Sequence, residues 1–328
     1  MSQRLFVLCI CCCCSLGKAS AVNLIDRILN WVDSADVQGC DTSYVRLAEE
    51  GFVAYTSILS SASGLHAAVP SSEAGGPMMS GFLRTPMTAS LSVGLKYRGW
   101  GLSYSHGLLS HPDTDFSFDF NSQRYGIEYL YHDSYALNGS LFSPDGQQQL
   151  DWPQDARRGR YRTTMVNAFW FLEHQHYSNP AATIHTTYQL KSCGSWLLSM
   201  SYWHGSYRSY LDEHLPYALR RISLSHISIG GGYAYNTVFG HKHCLLQTSL
   251  TPMIVCWHRD RLYHQDRVQS LSRGASVDVV GRMNFVYNYG RYLCGFQNVL
   301  NYFMSPFDQG SMLHTFDWEG RCFVGLRF

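Results

Sequence analysis

Apolar and polar positions alternate with a period of two through most of this chain. Ala89, Leu91, Val93, Leu95 and Tyr97 take one parity, and Ser90, Ser92, Gly94, Lys96 and Arg98 the other. Tyr125, Ile127, Tyr129 and Tyr131 alternate in the same way with Arg124, Gly126, Glu128 and His132. At the C-terminal end, Cys322, Val324, Leu326 and Phe328 oppose Arg321, Phe323, Gly325 and Arg327. Successive side chains on a strand point to opposite faces, so each stretch predicts a ribbon with one apolar and one polar side. This pattern places twelve strands at about 52–60, 89–98, 101–106, 125–131, 162–172, 182–191, 196–207, 220–235, 243–257, 276–289, 291–303 and 313–328.

Connection lengths sort these strands into a topology. With the last strand ending on the periplasmic side, the connections at 192–195, 236–240 and 288–291 fall on that side, and all are short. Those near 208–218, 259–274 and 304–311 fall outside and are longer. Short periplasmic turns with longer external loops are the arrangement of an outer-membrane barrel. The segment 134–159 lands on the turn side in this scheme and is too long for a turn. It folds into the lumen or hides an extra hairpin around 136–141, which would raise the strand count to fourteen. The expected fold is all-β: an antiparallel up-and-down transmembrane β-barrel of about twelve strands (10–14), preceded by a short N-terminal amphipathic helix.

Composition supports a membrane setting. The chain has 22 Tyr, 17 Phe, 8 Trp and 28 Gly, and only 15% charged residues. Aromatic richness without long apolar runs suits a barrel whose lipid face is apolar and whose interfaces carry aromatic girdles. Arg4, the apolar run Leu5 to Leu16 and Ala19-Ser20-Ala21 have the order of a secretory signal peptide over 1–21. Residues 22–50 form a periplasmic lead-in, with Leu24, Ile25, Ile28, Leu29 and Val32 at helical spacing. The barrel domain then occupies 51–328. A net charge of +1 gives no reason to expect a nucleic-acid partner. The expected partners are outer-membrane lipid and the barrel-assembly machinery, for which Phe328 is the candidate signal.

Three stretches resemble a known family: Gly39-Cys-Asp-Thr-Ser-Tyr-Val45, Gln123-Arg-Tyr-Gly-Ile-Glu128, and Phe169 to Ala181 leading to Lys191-Ser-Cys-Gly-Ser195. Together they are similar to the Bacteroidetes proteins grouped as domain of unknown function 4421. That resemblance implies a secreted, all-β, outer-membrane barrel and supplies no catalytic residue. Cys40 and Cys193 depart from the apolar or small residues expected there, and a compensating disulfide between them is one explanation.

Candidate chemistry is sparse. His174/His176 and His241/His243 are the closest histidine pairs, but no cysteine or carboxylate joins them at metal-ligand spacing. Six cysteines follow the leader (Cys40, Cys193, Cys244, Cys256, Cys294 and Cys322), and none forms a CxxC pair. His204 and Ser206 share a strand face, with Asp212 and Glu213 following, which raises an outer-membrane hydrolase as an alternative. A soluble lipocalin-like barrel is another. The expectation is a protein without enzymatic activity, cofactor or metal, serving a structural, binding or narrow-channel role. Lys96, Arg98, Arg124, Glu128, Asp278, Arg282, Arg321 and Arg327 are the lumen-lining candidates. Their positive excess would make any passage mildly anion-preferring.

Overall fold

In the computed structural model the alternating stretches are strands. The structure describes residues 39–70, 78–108, 113–135, 138–142, 148–152, 159–209, 221–263, 268–271, 274–306 and 312–328, nearly all of them in the compact unit Cys40–Phe328. The leader and the helix expected over 23–32 lie outside the described residues.

In chain order the elements begin with β1 (Val45–Leu47), β2 (Phe52–Pro70), β3 (Met78–Arg84), β4 (Thr88–Tyr97), β5 (Trp100–Gly107), β6 (Thr114–Asn121) and β7 (Tyr125–Ser134). β8 (Asn138–Phe142), β9 (Gln148–Trp152) and β10 (Gly159–Phe171) follow, then the helix α1 (Asn179–Thr183) and β11 (Thr187–Gln189). The remainder is β12 (Cys193–Ser209), β13 (Arg221–Phe239), β14 (Cys244–His258), β15 (Asp260–Tyr263), β16 (Val268–Leu271), β17 (Val277–Tyr289), β18 (Tyr292–Pro306) and β19 (Met312–Arg327).

Twelve of these form the wall, in the order β2, β4, β5, β6, β7, β10, β12, β13, β14, β17, β18, β19, each antiparallel to the next. β19 then pairs with β2 from Leu313↔Ala67 to Arg327↔Val53. That pairing closes the sheet and leaves no edge unpaired, which is what a strand-built membrane span requires. Gly240 and Gly290 take positive φ in the tight turns β13–β14 and β17–β18, a conformation open to glycine at little cost.

The strand count is as expected, but its membership differs at two places. The stretch 182–191 is not a wall strand. It contains the end of α1 and β11, which pairs with β1 in a separate two-stranded sheet. Conversely β6 is a wall strand absent from the expected set, with Phe116, Phe118 and Phe120 outward and Asp115, Ser117, Asp119 and Asn121 inward. The two differences cancel in the count and move the connection 134–159 to the opposite end. There it joins the long loops, and β8 pairs with β3 and β9 as an extension beyond the wall rather than as extra wall strands. The end carrying the short connections is called here the turn end and the other the loop end. The turn-end exception is the 172–192 connection between β10 and β12, which folds inward.

Outside, the wall is apolar. Val93 is 58% exposed and Ile254 68%, among a band that includes Leu91, Leu95, Leu198, Met200, Ile229, Leu250, Leu300 and Val324. At the turn end the rings run side by side from strand to strand. Phe328 stacks on Phe52 at 5.8 Å, Phe52 meets Tyr97 at 4.3 Å, Trp100 meets Phe120 at 4.6 Å, and Trp196 meets Tyr233 at 5.1 Å. Inward-facing Ser92 is fully buried. An arginine there would therefore have to displace its neighbours. Val93→Arg is expected to destabilise the folded barrel in lipid by about 2–4 kcal/mol, as for a basic residue at mid-depth on a lipid face. Ser92→Ala should change stability by less than about 1 kcal/mol, since its hydroxyl has no hydrogen-bond partner. Urea titration of the two variants in vesicles separates these outcomes.

Candidate functional site

The lumen is organised in three levels. At the turn end sits a plug made from residues 172–190. Its helix α1 starts at Ser178, whose hydroxyl accepts from the Ala181 N–H, with Pro180 in the first turn. Both are favoured residues for beginning a helix. The wall then fastens this segment from many sides. Asn236 donates to the Ser178 carbonyl at 2.9 Å, Asn179 to Asn121 at 2.9 Å, and Gln247 to the Tyr177 hydroxyl at 2.6 Å. Lys96 donates to the Thr183 carbonyl and Gln297 to that of Ala182. The fully buried Arg327 reaches the His185 carbonyl at 2.9 Å, Gly290 at 3.3 Å and the Asn288 side chain, with its guanidinium 4.8 Å from the Tyr188 ring. Apolar packing completes the seal: Ala181 and Ala182 lie against Val53, Tyr55, Leu245, Val286, Leu293 and Phe323.

Above the plug lies a polar chamber. Arg282 on β17 forms a two-pronged ion pair with Glu128 on β7, at 2.9 and 2.6 Å, straight across the lumen. Arg321 on β19 pairs with Glu319 at 3.1 Å and donates to the Tyr55 hydroxyl at 3.1 Å and Ser103 at 3.3 Å. His132 bonds Asp115, which also accepts from Ser105 at 2.9 Å. Three small adjoining cavities, of about 30, 80 and 60 Å³, run through this level. They share Glu128 and Arg282 at one junction and Glu319 and Arg321 at the other. The two larger ones are lined by the cations Lys96, Arg282 and Arg321 and by the carboxylates Asp115, Asp119, Glu128, Asp317 and Glu319. With His132 held on Asp115, four basic side chains face five carboxylates, so the chamber lacks the expected positive excess.

The loop end of the lumen is closed by an apolar and aromatic cluster. Tyr161, Met165, Trp203, Tyr207, Ile222 and Leu224 from one side of the wall meet Leu65, Phe303 and Leu313 from the other. Asp317 accepts from the Tyr161 hydroxyl and, at 2.9 Å, from the Trp203 indole N–H, both across the lumen. His226 stacks on Phe303 at 4.4 Å and on Trp203 at 5.2 Å.

Of the eight lumen-lining candidates, Lys96, Glu128, Asp278, Arg282, Arg321 and Arg327 point inward and are buried or nearly so. Asp278 accepts from Ser228 at 3.0 Å. Arg98 and Arg124 do not line the lumen. Arg98 sits in the β4–β5 turn with a positive φ of 51°. Arg124 is exposed in the β6–β7 turn, with its guanidinium 4.5 Å from the outward Trp170 ring. The residues overlooked are Asp115 and Asp119 on the missed strand, and Asp317 and Glu319 further along the closing one. Phe328 lies on the seam, exchanging two 3.1 Å backbone hydrogen bonds with Phe52.

Two residues of the hydrolase group are described. His204 and Ser206 face outward, where His204 bonds Ser225 at 2.8 Å and Ser206 accepts from Arg221 at 3.0 Å. Asp212 and Glu213 lie outside the described residues. Among the described residues no group of three or more His, Cys, Asp or Glu side chains is arranged to hold a metal ion. No disulfide joins Cys40 and Cys193, and their thiols are directed at the carbonyls of His174 and His176 respectively.

His185, in the plug, is pushed well below its ordinary value of 6.5 by burial, with Lys96 and Arg327 adding repulsion. A base depressed in the folded state contributes stability that is full above the unfolded value and is lost as pH falls below it. Acidification from pH 7 to 5 is therefore expected to lower the thermal midpoint of the wild type more than that of His185→Gln. Equal shifts in the two proteins would mean that His185 does not titrate against the plug.

No curated protein matches the chain. Among solved structures, the translocator domain of the autotransporter NalP from Neisseria meningitidis is 13% identical, covering 94% of this chain and 97% of its own with a TM-score of 0.37. The outer membrane protease OmpT from Escherichia coli is 7% identical, covering 86% and 98% with a TM-score of 0.38. The toluene transporter TodX from P. putida is 9% identical, covering 86% and 91% with a TM-score of 0.32. Overlaps this loose carry nothing about activity. The family model described as "Domain of unknown function (DUF4421)" matches residues 40–328, and the chain belongs to that family.

Proposed function

We propose that this protein spans the bacterial outer membrane as a closed barrel without enzymatic activity, and that it acts as a gated passage whose polar chamber is occupied by a small solute. The supporting observation is the pairing of an apolar, ring-girdled outer face with a charged chamber shut at both ends. A soluble lipocalin-like barrel would have no use for the first feature. A purely structural anchor would have no use for a connected row of charge-lined cavities, since filling a lumen needs only packed side chains. In this reading the short turns face the periplasm and the long loops face outward. The wild-type barrel should remain with the envelope through carbonate extraction, migrate faster on gels before heating than after, and show no steady conductance in planar bilayers. Release by carbonate would defeat the membrane assignment, and a steady open pore would defeat the gated one.

Phe328 is assigned a role in assembly. It is the last rung of the seam, and its ring extends the turn-end girdle. Deleting it is expected to reduce the amount of heat-modifiable barrel in the envelope several-fold and to send the remainder to periplasmic proteolysis. Unchanged yield would remove that role.

A further inference from the structure

Six arginines gather on the outward face at the loop end of four neighbouring strands. Register sets Arg160 on β10 beside Arg208 on β12, and Arg208 beside Arg221 on β13. In the adjoining row Arg162, Ser206, Ser223 and Arg261 stand in line. Arg259 is exposed one step further, its backbone paired with Ser225. Like charges placed directly opposite each other on a sheet are destabilising. Among the described residues one carboxylate answers this group: Asp133 accepts from Arg160 at 2.7 Å and from Arg162 at 3.1 Å. Among the described residues none pairs with Arg208, Arg221, Arg259 or Arg261. Two of the guanidiniums are nonetheless held in place, Arg221 by Ser206 and the Tyr263 ring, and Arg160 by Asp133 and the Tyr135 ring. Across the wall the corresponding outward positions of β2, β5, β18 and β19 are His66, His106, Tyr302 and His314.

The height of the patch identifies its ligand. Gly194 to His204 along β12 is ten steps of about 3.3 Å, or roughly 33 Å of strand. At a tilt near 40° this rises about 25 Å, the height of the apolar band of a membrane barrel. The arginines begin immediately above it. Below them the outward face is Tyr202, Met200 and Leu198 on β12 and Ile227 and Ile229 on β13. Guanidinium groups fit phosphate oxygens in two-pronged, charge-assisted pairs. We infer that this patch binds the phosphorylated headgroup of a glycolipid in the outer leaflet, with the phosphates against the arginines and the acyl chains on the apolar face beneath. A soluble polyanion would leave that adjoining apolar surface unused. The inference rests on the membrane reading given above.

The test uses the full barrel in mild detergent, with Arg162→Gln, Arg208→Gln and Arg221→Gln combined, and Arg84→Gln as a control cation elsewhere on the loop end. Envelope retention and heat-dependent migration come first. Their failure in the wild type would sink the membrane reading and the glycolipid inference with it. Native mass spectrometry with diphosphoryl lipid A then reads the patch itself. The triple variant is expected to bind at least about tenfold more weakly than wild type or Arg84→Gln, because three charge-assisted contacts are gone. Dephosphorylated lipid A should bind the wild type no better than diphosphoryl lipid A binds the triple variant. Equal binding by the triple variant would overturn the proposal. Displacement by millimolar inorganic phosphate would reassign the patch to soluble anions, and equal competition by phosphatidylglycerol would reassign it to anionic lipid in general. Either result rejects the glycolipid.

Discussion

Steady ion conductance is expected only when both closures of the lumen are removed together. The first change replaces residues 176–186 with a Gly-Ser link, which removes the plug core. The second is Tyr161→Ala with Trp203→Ala and Phe303→Ala, which empties the centre of the loop-end cluster. The two closures lie in series with the chamber between them, so the intact one dominates the resistance. The wild type and each single-end variant should stay near the baseline of protein-free bilayers. The combined variant should exceed either by at least about tenfold, because twelve strands enclose a lumen between the filled eight-stranded and the open sixteen-stranded sizes. Its current should show no anion preference, since four basic side chains and five carboxylates line the chamber. Conductance from plug removal alone would show that the loop-end cluster is no seal. An anion preference would show that the chamber's field is set elsewhere. Each variant must first migrate as a folded barrel before heating.

The largest loss of stability from a single substitution is expected at Arg327. It is fully buried, and its guanidinium ties the closing strand to the plug and to the β17–β18 turn at once. Hydrogen bonds involving a charged group contribute about 1.5–3 kcal/mol each, and a partner left buried without one bears a full desolvation cost. Arg327→Met removes the donors, keeps much of the volume, and leaves the His185 carbonyl and the Asn288 side chain unanswered. A loss of about 3 kcal/mol is expected, allowing for water entering at the mouth to replace part of the bonding. Arg327→Lys should recover only part of it, because an ammonium cannot span partners arranged for a planar fork. Denaturant midpoints measure the loss. Amide hydrogen exchange over 177–186 should accelerate in step, as the plug loosens before the wall does. Unchanged exchange with a lowered midpoint would assign Arg327 to the seam alone.

Much of the wall was readable from alternation, since a barrel strand shows its two faces within ten residues. The final strand is the clearest case: Cys322, Val324, Leu326 and Phe328 face outward and Arg321, Phe323 and Arg327 face the lumen, as their parity predicts. β6 carried the same signal in Phe116, Phe118 and Phe120, but its inward Asp115 and Asp119 make the segment resemble a polar loop. The opposite error arose at 182–191. Its β-branched residues favour a strand, yet Ser178 and Pro180 just before it start a helix, and that capping pattern was available in the sequence. The site was legible only one side chain at a time. Arg282 and Glu128 are 154 positions apart and Arg321 and Tyr55 are 266 apart. Their meeting depends on closure of the ring and on register, which no local pattern encodes. The charge balance of the chamber was lost for the same reason.

The backbone of the plug leaves and rejoins the wall at a single rung. Phe171 and Leu197 are partners in the β10–β12 ladder, and Leu172 still donates to the Trp196 carbonyl, so the excursion leaves and rejoins the sheet at neighbouring points. Such a stopper is on a leash. Half of its length, about ten residues fully extended, reaches roughly 35 Å beyond the mouth. Its release would break the side-chain bonds from wall to plug but no strand-to-strand hydrogen bond of the wall. Unstoppering the barrel and dismantling it are thus separate events, and a force on β1 through its pairing with β11 acts on the first while sparing the second.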